Sequence, residues 1–100
     1  MPARHLRWSR EELIVTLDLY CRTSFGRLHQ RNPDVKTLAK AIGRTPGAVA
    51  MKLVNFASFD PIQQKRGIRG LRNAGREDRQ VWEEFQADWE SLAIAGATTK

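Results

Sequence analysis

The stretch Gly43-Arg44-Thr45-Pro46 stops one helix and starts another within four residues. Val35, Leu38, Ala39 and Ile42 recur at helical spacing before it, and Val49, Leu53 and Phe56 recur after it. Gly43 suits the left-handed residue that ends a helix, and Thr45 supplies a side-chain cap. Pro46 fits the first helical position, where an N–H would have no partner anyway. Asn32-Pro33 opens the preceding helix by the same device. So short a connection predicts a tight helix-turn-helix, with helix 2 from Asn32 to Ile42 and helix 3 over residues 45–58.

The remaining elements are read around that pair. Ser9-Arg10-Glu11-Glu12 is a capping box, and Leu13, Ile14, Leu17, Tyr20 and Cys21 follow at helical spacing, so helix 1 is expected to end near Arg22. Trp8 is placed to staple onto it. Thr23 to Arg31 reads as an irregular connection with Phe25 and Leu28 turned inward. Asp60-Pro61 to Gly75 reads as a basic, glycine-containing loop with one short helical turn after Pro61. A last helix is expected from Glu77 to Ala95, burying Val81, Trp82, Phe85, Trp89 and Leu92. Strand signals are weak throughout. The expectation is an all-α, compact helical domain of about four to five helices, with residues 1–7 a basic arm and 96–100 a flexible tail.

A chain of 100 residues supports one modest core. Its charge of +6 is unevenly distributed: residues 1–76 carry +10 and residues 77–100 carry −4. A basic body implies a polyanionic partner, with the acidic end facing away or neutralising its neighbours. Arginine outnumbers lysine 12 to 5, and the planar guanidinium suits phosphate and guanine edges; a codon bias toward arginine is the competing explanation. Cys21 is the single cysteine, which excludes a disulfide framework. It is expected to be a small buried hydrophobe on helix 1. No apolar run approaches a membrane span and no signal-peptide core opens the chain. The expected location is cytoplasmic and nucleoid-associated.

Helix 3 carries the most suggestive surface. On a 100° wheel Val49, Leu53 and Phe56 cluster on one side, and Gly47, Ala48, Met51 and Asn55 on the other. No Asp or Glu occurs from Gly43 to Phe59. Small residues let a helix backbone approach base edges, and the lack of carboxylates avoids phosphate repulsion. Asn55 is suited to adenine or a cytosine amine, Arg44 to guanine or phosphate, and Lys52 to phosphate. The free N–H groups after Thr45 suit a phosphate oxygen. Ala48, Ala50 and Met51 match the C5-methyl group of a pyrimidine; alternatively, Ala50 and Met51 pack against the glycine-rich loop. Lys65, Arg66, Arg69 and Arg72 are expected to grip the sugar-phosphate backbone, with Arg4 and Arg7 along a strand as an arm.

Other groupings carry less. Glu77-Asp78 and Glu83-Glu84 read as solvated helix faces rather than an acid pair. The loop around Gly67 and Gly70 has no phosphate-loop spacing. His5 and His29 are too few and too far apart for a metal-dependent nuclease centre, so no catalytic residue, metal or cofactor is expected.

Several segments together carry a family resemblance. Trp8-Ser9-Arg10-Glu11-Glu12-Leu13, Leu17-Asp18-Leu19-Tyr20, Phe25-Gly26-Arg27-Leu28-His29 and Asn32-Pro33 resemble the opening of an N-terminal domain found on HNH-type restriction endonucleases. Leu38-Ala39, Gly43 to Leu53, Asn55-Phe56-Ala57-Ser58, Asp60-Pro61, Gly67 to Leu71, and Trp82, Phe85 and Trp89 extend the similarity over nearly the whole chain. In McrA-type members such a domain recognises methylated cytosine and a separate HNH domain cuts. The chain resembles a free-standing version of the reader, with no HNH module within its 100 residues. The resemblance implies a non-catalytic protein that binds 5-methylcytosine in double-stranded DNA, and a monomer or weak dimer is expected. Helix 3 would enter the major groove without base flipping. Two alternatives are a helix-turn-helix regulator of unmodified DNA and a specificity module docking onto a separate nuclease partner.

Overall fold

In the computed structural model, residues 7–67, 75–86 and 88–99 are described, and they form six α-helices, one 3-10 turn and no strand. The helices are α1 (Arg10–Cys21), α2 (Pro33–Ile42), α3 (Pro46–Ala57), α4 (Pro61–Lys65), α5 (Arg76–Phe85) and α6 (Trp89–Thr99), with the 3-10 turn at Phe25–Arg27. The fold is all-α. The extra helix arises at the C-terminal end, where the expected single helix is two.

The caps read from the sequence are formed. Ser9 Oγ accepts from the Glu12 N–H at 3.1 Å, and Glu12 returns the contact to the Ser9 N–H at 2.8 Å. Asn32 and Thr45 cap α2 and α3 through the N–H groups of Asp34 and Ala48. Gly43 sits at φ 73°, where any side chain would be strained, and the Arg44 N–H donates to the Ala39 carbonyl at 2.9 Å. The Gly43 to Thr45 corner thus closes as expected, and α2 packs on α3.

α1 is the central element. Every residue from Leu13 to Tyr20 is buried, including Thr16 and Asp18, so α1 has no solvated face along its middle. α3, α5 and α6 all pack against it. Helical spacing picks out Leu13, Ile14, Leu17, Tyr20 and Cys21, but Val15 and Leu19 are buried as well. A helix that is apolar nearly all round is one enclosed by others. Thr16 is accommodated because its hydroxyl donates to the Glu12 carbonyl at 2.8 Å. Asp18 pairs with Arg22 at 3.1 Å. Cys21, the last residue of α1, is exposed, contrary to expectation.

The split between α5 and α6 has a local cause. Asp88 accepts from the Ser91 N–H at 3.1 Å and from its hydroxyl at 2.6 Å. A carboxylate that caps a new helix competes with continuing the old one. α6 then runs against α1, and a Cβ on Gly96 would lie 3.0 Å from the Asp18 side chain, so the two helices are in close approach there. α6 extends to Thr99, so residues 96–99 belong to a helix rather than a flexible tail. Trp82 is buried in the core, whereas Trp89 is 41% exposed and stands edge-on to it at 5.5 Å; only the first of the two tryptophans is a core residue. No helix among the described residues is long and apolar enough to cross a membrane.

Candidate nucleic-acid interface

The outward half of α3 is smaller than the wheel implied. Thr45 is exposed at the cap, Gly47 and Ala48 are half-buried in the first turn, and Met51 is 56% exposed. These four form an open face without charge. Ala50 is half-buried and packs against the core rather than joining it. Gln30, from the turn before α2, reaches the first turn of α3: its Oε1 would lie 3.1 Å from a Cβ on Gly47.

Asn55 does not face outward. It is 5% exposed, and its amide donates to Asp78 Oδ2 at 3.1 Å. The reason is tertiary: α5 packs over the C-terminal half of α3 and covers that sector of the wheel. Asn55 Oδ1 has no hydrogen-bond partner among the described residues. The Asp78 carboxylate also accepts from Lys52 Nζ, at 3.1 Å to each oxygen, and from the Gly75 N–H at 3.1 Å. Lys52 is therefore an internal partner of α5, with a side chain only 14% exposed.

Arg44 is held in the same way. Its guanidinium donates to both oxygens of Glu12, at 3.1 and 2.9 Å, and to the Arg7 carbonyl at 3.1 Å. The side chain is 8% exposed. The guanidinium carbon lies 4.5 Å from the centroid of Trp8, and Lys52 Nζ lies 5.1 Å from the same ring. Trp8 thus serves as a cation-binding ring at the junction of α1, α3 and α5, rather than only as a staple on α1. Burial pushes the Glu12 carboxyl upward, but the Arg44 hydrogen bonds and charge, with the Ser9 contacts, outweigh this and hold it below its ordinary value. A fork on a carboxylate and a lysine on a second one are structural clamps. Neither cation is presented to a ligand in this arrangement.

The acidic end of the chain provides much of this neutralisation. Glu77 pairs with Arg7, Asp78 with Lys52, and Glu84 with Arg10. Of the other expected contacts, Lys65 and Arg66 are exposed at the end of α4, with Arg66 5.6 Å from the Phe25 ring centroid. Arg4, Arg69 and Arg72 lie outside the described residues. The structure therefore gathers Thr45, Gly47, Ala48 and Met51 on one surface, pairs Arg44 and Lys52 with carboxylates around Trp8, and pairs the exposed Arg7 with Glu77.

Arg27, Arg31, Lys36 and Lys40 are also exposed cations, and the sequence reading does not single them out. The available signal was the near absence of carboxylates around them: Asp34 is the only acidic residue from Arg27 to Thr45.

An open cleft of about 580 Å³ lies elsewhere, lined among others by Tyr20, Cys21, Phe25, Asp60, Trp82 and Trp89. Tyr20 donates to Asp60 at 2.6 Å, which with burial raises its pKa. Although Cys21 is exposed as a residue, desolvation of its thiol in this cleft, with the nearby Asp18 and Asp60, pushes the thiol up to about 12. Among the described residues no group of three His, Cys, Asp or Glu is arranged to hold a metal ion. Comparison of the chain with protein-family models, curated proteins and solved structures finds no match.

Proposed function

We propose that the chain is a DNA-binding domain that reads 5-methylcytosine within the stacked duplex through the N-terminal half of α3, without chemistry of its own. The observation that carries this reading is the open, uncharged face of Thr45, Gly47, Ala48 and Met51 on the second helix of a tight helix-turn-helix. Such a face lets the backbone come close to base edges, and Met51 offers an exposed, flexible thioether to a methyl group. Because Arg44, Lys52 and Asn55 are engaged internally, the face has few hydrogen-bonding side chains with which to read a long base code. That favours contact with a methyl group over an operator sequence. The family resemblance points to the same modified base.

The test is competition between methylated and bare duplexes of random sequence. Preference for the methylated probe is expected, and equal affinity would overturn methyl reading. Replacing Met51 by Ser should lower the preference about fourfold, since one buried methyl contact contributes about 0.8 kcal/mol. The thermal midpoint should hold, because Met51 is more than half exposed. Fluorescence of 2-aminopurine beside the methylated base should stay quenched on binding; a large rise would contradict recognition within the stack.

A further inference from the structure

Among the described residues the cations differ in whether a carboxylate pairs with them. Arg7, Arg10, Arg22, Arg44, Lys52 and Arg79 each lie in an ion pair with a carboxylate. Arg27, Arg31, Lys36, Lys40, Lys65, Arg66 and Arg76 are exposed and enter no ion pair among the described residues. Arg27, Arg31, Lys36 and Lys40 lie on the turn and helix that pack against α3, whereas Lys65 and Arg66 end α4 and Arg76 opens α5. The turn at 27–32 is pinned by Asn32, whose amide donates to the Arg27 carbonyl at 2.9 Å and whose N–H donates to the His29 carbonyl at 3.1 Å. The Arg31 N–H donates to His29 Nδ1 at 3.2 Å. Gln30, in the middle of this turn, abuts Gly47 in the first turn of α3. Arg27 and Arg31 therefore stand on a fixed turn beside the open face of α3.

Lys36 and Lys40 extend the group along α2. The buried residues Val35, Leu38 and Ala39 define its core side. On the helical wheel Asp34, Thr37 and Ala41 lie on one flank and Lys36 and Lys40 on the other. The first flank, with Leu38, lines a groove shared with Leu19 and Arg22 of α1. The lone acid of the region is thus turned toward α1, away from the lysines. Lys36 and Lys40 are separated by about 6 Å of rise along the axis of α2, compared with one phosphate of each strand per about 3.4 Å of duplex axis. Two successive lysines can therefore serve two different phosphates.

We propose that Arg27, Arg31, Lys36 and Lys40 form the surface that holds a sugar-phosphate strand of duplex DNA, with the open face of α3 lying in the groove beside it. This rests on the DNA-binding reading above and transfers its phosphate contacts from Arg44 and Lys52 to the α2 flank. The four cations position the protein without selecting a base.

The experiment compares wild type with two charge-neutral variants, Lys36→Gln with Lys40→Gln and Arg27→Gln with Arg31→Gln, in salt titrations on a methylated duplex. Each lost phosphate contact lowers the slope of log affinity against log salt by about 0.9, so each variant should lose about 1.8 in slope. At 0.1 M salt that corresponds to roughly 60-fold weaker binding, if counterion release supplies the whole effect. The ratio of methylated to bare affinity should not change. Arg79→Gln, which removes an exposed and already paired arginine, should leave the slope unaltered. Wild type that binds DNA while both double variants keep its slope and affinity would overturn this assignment and leave the DNA reading intact. A wild type that fails to bind duplex DNA would refute the DNA reading itself. All four substitutions are at exposed side chains, and thermal midpoints near the wild-type value would verify the fold.

Discussion

Replacing Asp78 by Ala should destabilise the domain more than removing any of its exposed acidic side chains. Asp78 is 2% exposed and accepts from Lys52, Asn55 and the Gly75 N–H. Its loss leaves a mostly buried ammonium group, a buried amide and a backbone N–H without their acceptor. Breaking a buried pair costs about 3–5 kcal/mol, and an orphaned neutral donor about 1–3 kcal/mol. These contributions do not add, because Lys52 keeps some access to water and can move outward. A loss of about 3 kcal/mol is expected, a large part of the 5–15 kcal/mol typical of a domain. For about 100 residues this lowers the thermal midpoint by about 15 °C. Urea unfolding, followed by far-ultraviolet circular dichroism and tryptophan fluorescence, measures it. In the Asp78→Ala background, Lys52→Met should recover part of the loss, because it removes the orphaned charge while keeping much of the side-chain volume. A change below about 0.5 kcal/mol for Asp78→Ala, or no recovery on adding Lys52→Met, would refute the reasoning.

Two further outcomes follow from the same geometry. The Glu12 carboxyl is held below its ordinary value near 4.5, so its stabilisation is complete above that pH and is lost as pH falls through the lowered folded value. Glu12→Gln should therefore flatten the pH dependence of unfolding free energy below about pH 4.5, and an unchanged acid limb would disprove the linkage. Gly96→Val should destabilise by about 1–3 kcal/mol through overpacking against Asp18, with Gly96→Ala intermediate; a neutral result in urea melts would mean that α1 and α6 separate freely at that contact.

Local signals carried most of the helix boundaries. The capping box at Ser9, the Asn32-Pro33 and Thr45-Pro46 starts and the stop at Gly43 each involve residues within a few positions of one another, so sequence suffices to recognise them. Asp88 was equally local but was masked by the apolar spacing of Trp82, Phe85, Trp89 and Leu92, which also fits one long helix. What escaped was the identity of the neighbour. A wheel places Asn55 opposite Val49 and Leu53 but cannot show that Asp78, 23 positions later, covers that sector. The same limit applies to Arg44 and Glu12, 32 positions apart. Arginine and lysine beside a possible recognition helix look alike whether they face a phosphate or a carboxylate of the same chain.

The distribution of carboxylates has a consequence for selectivity under the proposed function. Glu77, Asp78 and Glu84 cancel cations at the junction of α1, α3 and α5, while the 27–40 surface keeps its charge. Affinity and discrimination then reside on different residues. The cations bind any duplex and respond steeply to salt, whereas the methyl contact at Met51 or Ala48 is apolar and involves no counterion. Raising the salt should weaken binding to methylated and bare DNA by the same factor, leaving their ratio nearly constant. A single methyl contact supplies a preference of only about fourfold. Larger preferences would require a second modified base within reach of the same face, or a second copy of the domain on the same duplex. Without either, phosphate contacts would hold the protein on bare DNA almost as well as on its target, and the useful salt range would be the one in which that common affinity is low.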